Sequence, residues 1–234
     1  MKRVMFLIIM VSFVFNVSAD ALDDILKMNS IYKEKSGLYL EFELTLKYTN
    51  YQQKEEKHNC IMNQEKNKVY YKALHTEYVN DGDYSVFIDH SQKLLILGSP
   101  FDTKNVDESY LKSLNGFLAD TANFRKLYDF NYSNFGKSII VITPKNKDSE
   151  FASVVITLNK DYTMSRVSYN YKKEETSGVW INSYDIVYKT ISFKSKPGYF
   201  ESERFVQVKR NKPVASKKYL NYKVIDRRIK LKNN

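Results

Sequence analysis

The sequence is poor in the residues that most covalent and metal chemistry requires. Its 234 residues include one cysteine, Cys60, and three histidines. A single cysteine excludes an internal disulfide, so the fold must be held by its hydrophobic core. The sequence contains no Gly-x-Ser-x-Gly elbow, phosphate-binding Gly-rich loop, His-Glu-x-x-His helix or Cys-x-x-Cys pair. We therefore predict a non-enzymatic protein without a cofactor or a metal site.

Long apolar runs are also missing after the first nineteen residues. Before that point, a basic start at Met1-Lys2-Arg3 is followed by an apolar run and by a small-residue ending at Ala19. This order is typical of a cleaved signal peptide, and an uncleaved anchor helix is the alternative. We predict a signal peptide over residues 1–19 and an exported mature chain, residues 20–234, with no transmembrane segment.

The net charge is positive but does not identify a partner. The full chain carries a formal charge of +10, and loss of Lys2 and Arg3 with the signal peptide leaves 10 − 2 = +8. Such a charge suits an anionic membrane surface or an acidic ligand. A chain rich in Lys, Asn, Tyr, Ile and Phe is also typical of an AT-rich genome. Because export argues against a nucleic-acid partner, we predict that the protein does not bind nucleic acid.

Alternating apolar residues give the clearest structural signal. In "LYLEFELTLKY" the residues from Leu38 to Tyr48 alternate, which predicts a long strand with one dry and one wet face. Shorter apolar segments separated by turn residues follow it, with about eleven strands in all. Helical spacing precedes the long strand at 23–32 and returns between Asn105 and Tyr128.

So many consecutive strands must curl or close to protect their edges. The connections are mostly hairpins, which antiparallel strands allow and parallel crossovers do not. We predict a mainly β (α+β) fold: a curved antiparallel sheet that forms an incomplete barrel of about eleven strands. A short N-terminal helix and a central helical lid accompany it, in a single domain over residues 20–234.

The acidic stretch "EYVNDGDYSVFID" poses a choice between a metal loop and a turn. A calcium loop needs oxygen ligands at alternate positions and a closing glutamate, whereas apolar residues follow Tyr84 at once. Asp81-Gly82 between two alternating segments is a strong hairpin signal, since glycine accepts the positive φ that the turn requires. The sequence therefore favours a hairpin here.

His58 and Cys60 form the nearest approach to a catalytic pair. In a strand they point to the same face, which would allow an imidazole to activate the thiol. The sequence identifies no third group to orient the imidazole. A cysteine that is a small buried hydrophobe is the more common outcome, and we predict that for Cys60.

The order of these features resembles the periplasmic outer-membrane lipoprotein carrier superfamily, the LolA/LolB-like proteins. The resemblance is carried by "EYVNDGDYSVFIDHSQKLLIL", where Tyr84, Phe87 and Asp89 follow the Asp-Gly turn, and by the later passage from Ile142-Thr143-Pro144 to Tyr171. One departure is Glu65-Lys66, which stands where the carriers commonly have Arg-Pro.

The resemblance implies a periplasmic carrier whose half-barrel cavity receives the acyl chains of a lipoprotein or lipid, with inner- and outer-membrane transport proteins as partners. The candidate lining residues are the apolar positions of the long strand and of the strands after it: Leu40, Phe42, Leu44, Leu46, Val69, Tyr71, Val86 and Ile88. A packed core would use the same residues. The alternative is a structural or interaction protein of the cell envelope with a fully packed sheet.

Overall fold

The structure is a computed structural model that describes residues 21–32, 35–49, 55–100, 121–134, 136–172 and 180–228. The predicted signal peptide lies outside the described residues, as does the predicted lid up to residue 120. Within them, α-helices occupy residues 21–32 and Thr121–Leu127. Single 3-10 turns lie at Ser202–Arg204 and Lys217–Tyr219. None of these helical segments has the length and apolar character needed to cross a membrane.

The described residues contain fourteen strands. They are Gly37–Thr49 (β1), Glu55–Glu65 (β2), Lys68–Ala73 (β3), Thr76–Asn80 (β4), Ser85–Asp89 (β5), Leu94–Gly98 (β6), Tyr128–Asn134 (β7), Ser138–Pro144 (β8), Phe151–Leu158 (β9), Met164–Tyr171 (β10), Trp180–Ser192 (β11), Val206–Lys209 (β12), Lys212–Ala215 (β13) and Lys223–Asp226 (β14). Twelve form one sheet in the order β14-β6-β5-β4-β3-β2-β1-β11-β10-β9-β8-β7, and β12 and β13 form a separate hairpin.

The predicted fold class is confirmed: the described part of the chain is mainly β, and its large sheet does not close into a barrel among these residues. The structure differs from the prediction in three strands. Strand β7 starts at Tyr128, where the helical spacing was expected to end, and it was not among the predicted strands; β13 contains Pro213, where the turn residues Asn211-Lys212-Pro213 predicted a connection. Proline is tolerated there because β13 pairs only with β12. Strand β14 pairs with β6 in parallel, against the expected antiparallel order.

The chain divides into two compact units. Among the described residues, the first unit comprises 21–32, 43–49, 55–57, 121–134, 136–172 and 180–189. The second comprises 35–42, 58–100 and 190–228.

The core of the first unit lies between the N-terminal helix and one face of strands β7 to β10. Ala21 and Ile25 of the helix are buried against Ile140 and Leu158. Polar contacts also fix the helix: the Tyr132 hydroxyl donates to Asp24 Oδ2 at 2.9 Å, the Met164 N–H donates to the Tyr32 hydroxyl at 3.1 Å, and Lys27 Nζ donates to the Tyr162 hydroxyl at 3.3 Å. The predicted N-terminal helix is therefore confirmed, and its apolar stripe is what docks it.

The core of the second unit lies on one face of strands β3 to β6. That face presents buried residues at alternate positions, and the segment 199–222 covers it with apolar side chains. The buried members of this cluster are Tyr70, Val79, Val86, Ile88, Leu95, Leu97, Phe200, Phe205, Val206 and Tyr219. We call this the core face of the second unit.

The predicted wet face of β1 is covered in the second unit. Tyr39, which alternation placed on that face, is fully buried. Its ring centroid lies 5.8 Å from that of Tyr199, and Lys196 Nζ lies 3.8 Å from its ring centroid. The expectation that this face is solvated is therefore wrong at Tyr39, because residues 196–199 return over it.

Candidate apolar binding face

The acidic stretch at residues 80–83 forms the predicted hairpin turn between β4 and β5. Gly82 has φ of +98°, a conformation that favours glycine. The Asp81 Oδ1 atom accepts hydrogen bonds from the backbone N–H groups of Asp83 and Tyr84 at 2.8 and 2.7 Å. Asp81 thus stabilises the turn. Across the part of the chain that the structure describes, no cluster of three or more His, Cys, Asp or Glu is arranged to hold a metal ion.

The predicted lining residues do not all share one face of the sheet. Val86 and Ile88 are fully buried in the core face of the second unit. Tyr70 belongs to the same core, so its neighbours Val69 and Tyr71 point to the opposite face. Placing Val86 and Ile88 in one cavity with Val69 and Tyr71 is therefore wrong, since the sheet separates the two pairs.

The opposite face of the second unit carries an unbroken apolar row across six strands. Backbone register places Met62 opposite Tyr71, Tyr71 opposite Tyr78, Tyr78 opposite Phe87, and Phe87 opposite Ile96. Ile225 of β14 continues the row beside Ile96. We call these six residues the apolar row.

The apolar row is not sealed. The side chains of Tyr71 and Phe87 are each 38% exposed, although both lie in the middle of their strands. The other four members are half-buried. Neighbouring side chains shield the Tyr71 phenol, and this partial burial raises its pKa. The row therefore presents aromatic surface that a ligand or another surface can reach.

Leu40 and Phe42 extend the same face onto β1. Tyr39 and Tyr70 both pack on Tyr199, at ring-centroid distances of 5.8 and 5.0 Å, so they share one face. By alternation, Leu40 and Phe42 lie on the face of the apolar row, and both are buried. Leu44 and Leu46, farther along β1, belong to the first unit and are half-buried.

Cys60 also lies on this face. It is two residues before Met62 on β2 and is 1% exposed. Its Sγ lies 3.7 Å from the backbone oxygen of His58, to which the thiol donates, while the His58 ring packs edge-on against His75 at 6.2 Å. The prediction of a buried cysteine is confirmed.

A buried polar network, absent from the sequence-based candidates, lies on the core face. Glu77 accepts hydrogen bonds from the Tyr70 hydroxyl at 2.6 Å and from His90 Nε2 at 2.9 Å, and His90 Nδ1 meets the Tyr222 hydroxyl at 2.9 Å. Burial raises the pKa of Glu77, but hydrogen bonds from Tyr70 and His90 and the charge of Lys72 outweigh it and lower the pKa below its usual range. The network ties the C-terminal segment to β4.

The only sequence signal for this network is a glutamate at a core-facing position. Glu77 stands opposite Ile88 in the register of β4 and β5. Its partner Tyr222 lies 132 residues from His90, a separation that no local pattern reports.

No family model matches this chain, and no curated protein matches it. Among solved structures it is similar to an outer membrane lipoprotein-sorting protein domain from Vibrio parahaemolyticus, with 14% identity, 80% of this chain and 96% of that chain covered, and a TM-score of 0.35. It is also similar to a LolA superfamily protein from Nitrosomonas europaea, with 8% identity, 81% and 99% coverage, and a TM-score of 0.32.

A third similar structure is the lipoprotein LppX from Mycobacterium tuberculosis, with 11% identity, 78% and 99% coverage, and a TM-score of 0.32. One of these solved structures is named as a LolA superfamily protein, the superfamily that the sequence also resembles.

Proposed function

We propose that this protein is a periplasmic carrier that binds the acyl chain of a lipid or lipoprotein by reversible burial, without covalent chemistry. The observation that carries the proposal is the apolar row, with Tyr71 and Phe87 each 38% exposed in mid-strand. Export by a cleaved signal peptide over residues 1–19, and inner- and outer-membrane transport proteins as partners, belong to the same proposal.

The chemistry of the row fits a long apolar ligand. Neighbouring strands are about 4.8 Å apart, so six strands present a continuous apolar track roughly 24 Å long. Burial of each methylene contributes about 0.8 kcal/mol, and aromatic side chains offer large contact area at low entropic cost. An acyl chain lying across Tyr71, Tyr78 and Phe87 would gain useful affinity from contact alone. The half-exposed aromatic rings would then become buried.

The second candidate is a structural or interaction protein of the cell envelope, in which the sheet is fully packed. It is supported by the core face, where Val79, Val86, Ile88 and Leu95 are 0% exposed. The two candidates differ in what covers Tyr71 and Phe87. In a carrier, a ligand binds over these two side chains and leaves again. In a packed protein, no ligand reaches them.

Binding of a fluorescent fatty acid to matched variants separates the candidates. We expect Tyr71→Asp and Phe87→Asp each to weaken binding by about tenfold or more, because a charge on the row must be desolvated by the acyl chain. Val214→Asp is the matched control, since Val214 is 42% exposed and lies on β13. Equal binding by the unaltered chain and all three variants would contradict an acyl site on this face.

Cys60 supplies a second readout because it is the only cysteine of the chain and lies on the same face. We expect a saturating fatty acid to slow alkylation of Cys60 and removal of the fatty acid to restore the rate. An alkylation rate that does not respond to fatty acid would count against occupancy next to Met62.

A further inference from the structure

A charged groove of about 350 Å³ lies on the first unit, separate from the proposed acyl site. It is lined by side chains of β8 to β11 and by Lys47 of β1. Register places Ile139, Thr157 and Arg166 in one row across β8, β9 and β10. The helix-covered core uses the intervening residues Ile140 and Leu158. The groove is therefore on the sheet face opposite to the N-terminal helix.

The floor of this groove holds one carboxylate between two cations. The Asp185 side chain is only 9% exposed, and its Oδ2 atom lies 2.8 Å from Arg166 Nη2 and 3.3 Å from Lys47 Nζ. Burial raises the pKa of Asp185, yet hydrogen bonds from Ser168, Arg166 and Lys47 outweigh it and lower the pKa. One negative charge thus faces two positive charges, which leaves an excess of one positive charge at the floor.

Both cations are reachable from solvent. The Arg166 side chain is 50% exposed and that of Lys47 is 43% exposed. A guanidinium has five N–H donors in a planar fork, and an ammonium has three. Both side chains contact Asp185 through a single oxygen, Oδ2. Each cation has more N–H donors than this contact uses, so donors remain for a ligand.

Neutral hydrogen-bonding groups continue the groove beside the charges. Ser168 lies opposite Asp185, and Ser183 lies opposite Asn170, in the register of β10 and β11. Asn170 Nδ2 donates to Ser153 Oγ at 3.0 Å. Among the described residues that line the groove, Asp185 is the only carboxylate. The nearby carboxylate of Glu43 is neutralised by Lys189 Nζ at 2.9 Å.

We propose that this groove binds a phosphate-class oxyanion, with Arg166 and Lys47 as its cationic ligands and the Ser183 hydroxyl as a neutral donor. A guanidinium matches the geometry of two phosphate oxygens, and an ammonium adds a point charge. Free phosphate, a phosphate monoester and the phosphodiester of a lipid headgroup share this chemistry. Asp185 holds the two cations in place and competes with the ligand for them.

Titration with inorganic phosphate, followed by NMR of the Arg166 side chain and the Ser168 and Ser183 amides, tests the proposal. Chloride at matched ionic strength controls for screening. We expect saturable shifts with phosphate only. Arg166→Gln and Lys47→Gln should each weaken binding by about tenfold, the effect of losing one charge-assisted hydrogen bond. Lys189→Gln is the matched control, because Lys189 is 48% exposed and paired with Glu43.

The variant Asp185→Asn distinguishes a ligand site from a purely structural ion pair. Removing the competing carboxylate should tighten phosphate binding, by about threefold or more on an electrostatic argument. A structural ion pair predicts no gain in affinity.

Vesicles of phosphatidylglycerol and of phosphatidylcholine identify the source of the phosphate group. Binding to phosphatidylglycerol vesicles that free phosphate displaces indicates a lipid headgroup. Binding of inorganic phosphate without binding to vesicles indicates a soluble ligand.

Three results would overturn the proposal. The first is equal shifts with phosphate and chloride. The second is phosphate binding by folded Arg166→Gln and Lys47→Gln proteins that matches the unaltered chain, and the third is a folded Asp185→Asn protein that binds phosphate no more tightly than the unaltered chain. Thermal unfolding of each variant checks that it is folded, and if Asp185→Asn does not fold, the two cation variants decide the outcome.

Discussion

The two units cover their sheet strands in different ways. In the second unit an irregular segment, residues 199–222, buries a large aromatic and aliphatic cluster in which Phe205, Val86 and Ile88 are fully enclosed. In the first unit one amphipathic helix covers a smaller cluster centred on Ile140 and Leu158. Rings beyond that cluster, such as the stacked pair Tyr169 and Tyr184 at 4.5 Å, are only half-buried. The larger and more completely buried cluster is that of the second unit, so stability is concentrated in its core face.

The largest loss of stability is expected from a substitution in the core of the second unit. Phe205 is 0% exposed and packs on Tyr219 with ring centroids 5.4 Å apart. We expect Phe205→Ala to lower the free energy of unfolding by about 3–5 kcal/mol, since truncation leaves a cavity. Chemical denaturation measures the loss. Leu220→Ala is the control, because Leu220 is 73% exposed and a change there should stay within about 0.5 kcal/mol.

The next effect undocks the helix of the first unit. Ile25 is 3% exposed and packs against Ile140 and Leu158. We expect Ile25→Ala to cost about 2–4 kcal/mol locally and to raise amide hydrogen exchange in residues 21–32. Strands β3 to β6 should keep their protection. A uniform loss of protection in both units would contradict the assignment of separate cores.

Glu77→Gln tests the buried polar network of the second unit. We expect the free energy of unfolding to fall by about 1–3 kcal/mol at neutral pH, because the hydrogen bonds to a charged carboxylate are lost. The pKa of Glu77 in the folded state lies below its ordinary value. The stability that the charge contributes is therefore present above the unfolded-state pKa and is lost as pH falls through the folded-state pKa. Urea denaturation at pH 7 and at low pH should show the difference between wild type and variant shrinking on acidification. A stability difference between wild type and variant that does not change with pH would contradict a stabilising role of the charged Glu77 in the network.

The smallest effects come from one turn in each unit. Gly82 in the second unit has φ of +98° and Gly136 in the first has φ of +79°. We expect Gly82→Ala and Gly136→Ala each to cost about 1 kcal/mol, because alanine is strained at positive φ. Thermal unfolding provides the comparison. A stabilising effect at either site would contradict the turn conformation.

Local patterns predicted much of the fold. Alternation from Leu38 to Tyr48 predicted β1, Asp81-Gly82 predicted the β4–β5 hairpin, and apolar residues at helical spacing predicted the N-terminal helix. Each of these signals lies within a dozen residues of chain. One miss, the parallel contact of β14 with β6, is a pairing of residues that are distant along the chain.

The candidate site was harder to predict for the same reason. In "YSVFID" the apolar residues Tyr84, Val86 and Ile88 alternate with Ser85, Phe87 and Asp89, so alternation predicts which face is apolar but not whether that face is a packed core or a cavity. Only the segment 199–222, more than a hundred residues later, determines that Val86 and Ile88 are sealed while Phe87 is exposed. Tyr39 was misjudged similarly, because its cover comes from Lys196 and Tyr199.

Native mass spectrometry of the protein isolated from the cell envelope tests the central claim most directly. The proposed carrier function predicts a bound acylated species that is retained by the unaltered chain and by Val214→Asp but lost from Phe87→Asp. A protein that carries no lipid, together with no binding of a fluorescent fatty acid to the unaltered chain, would contradict it.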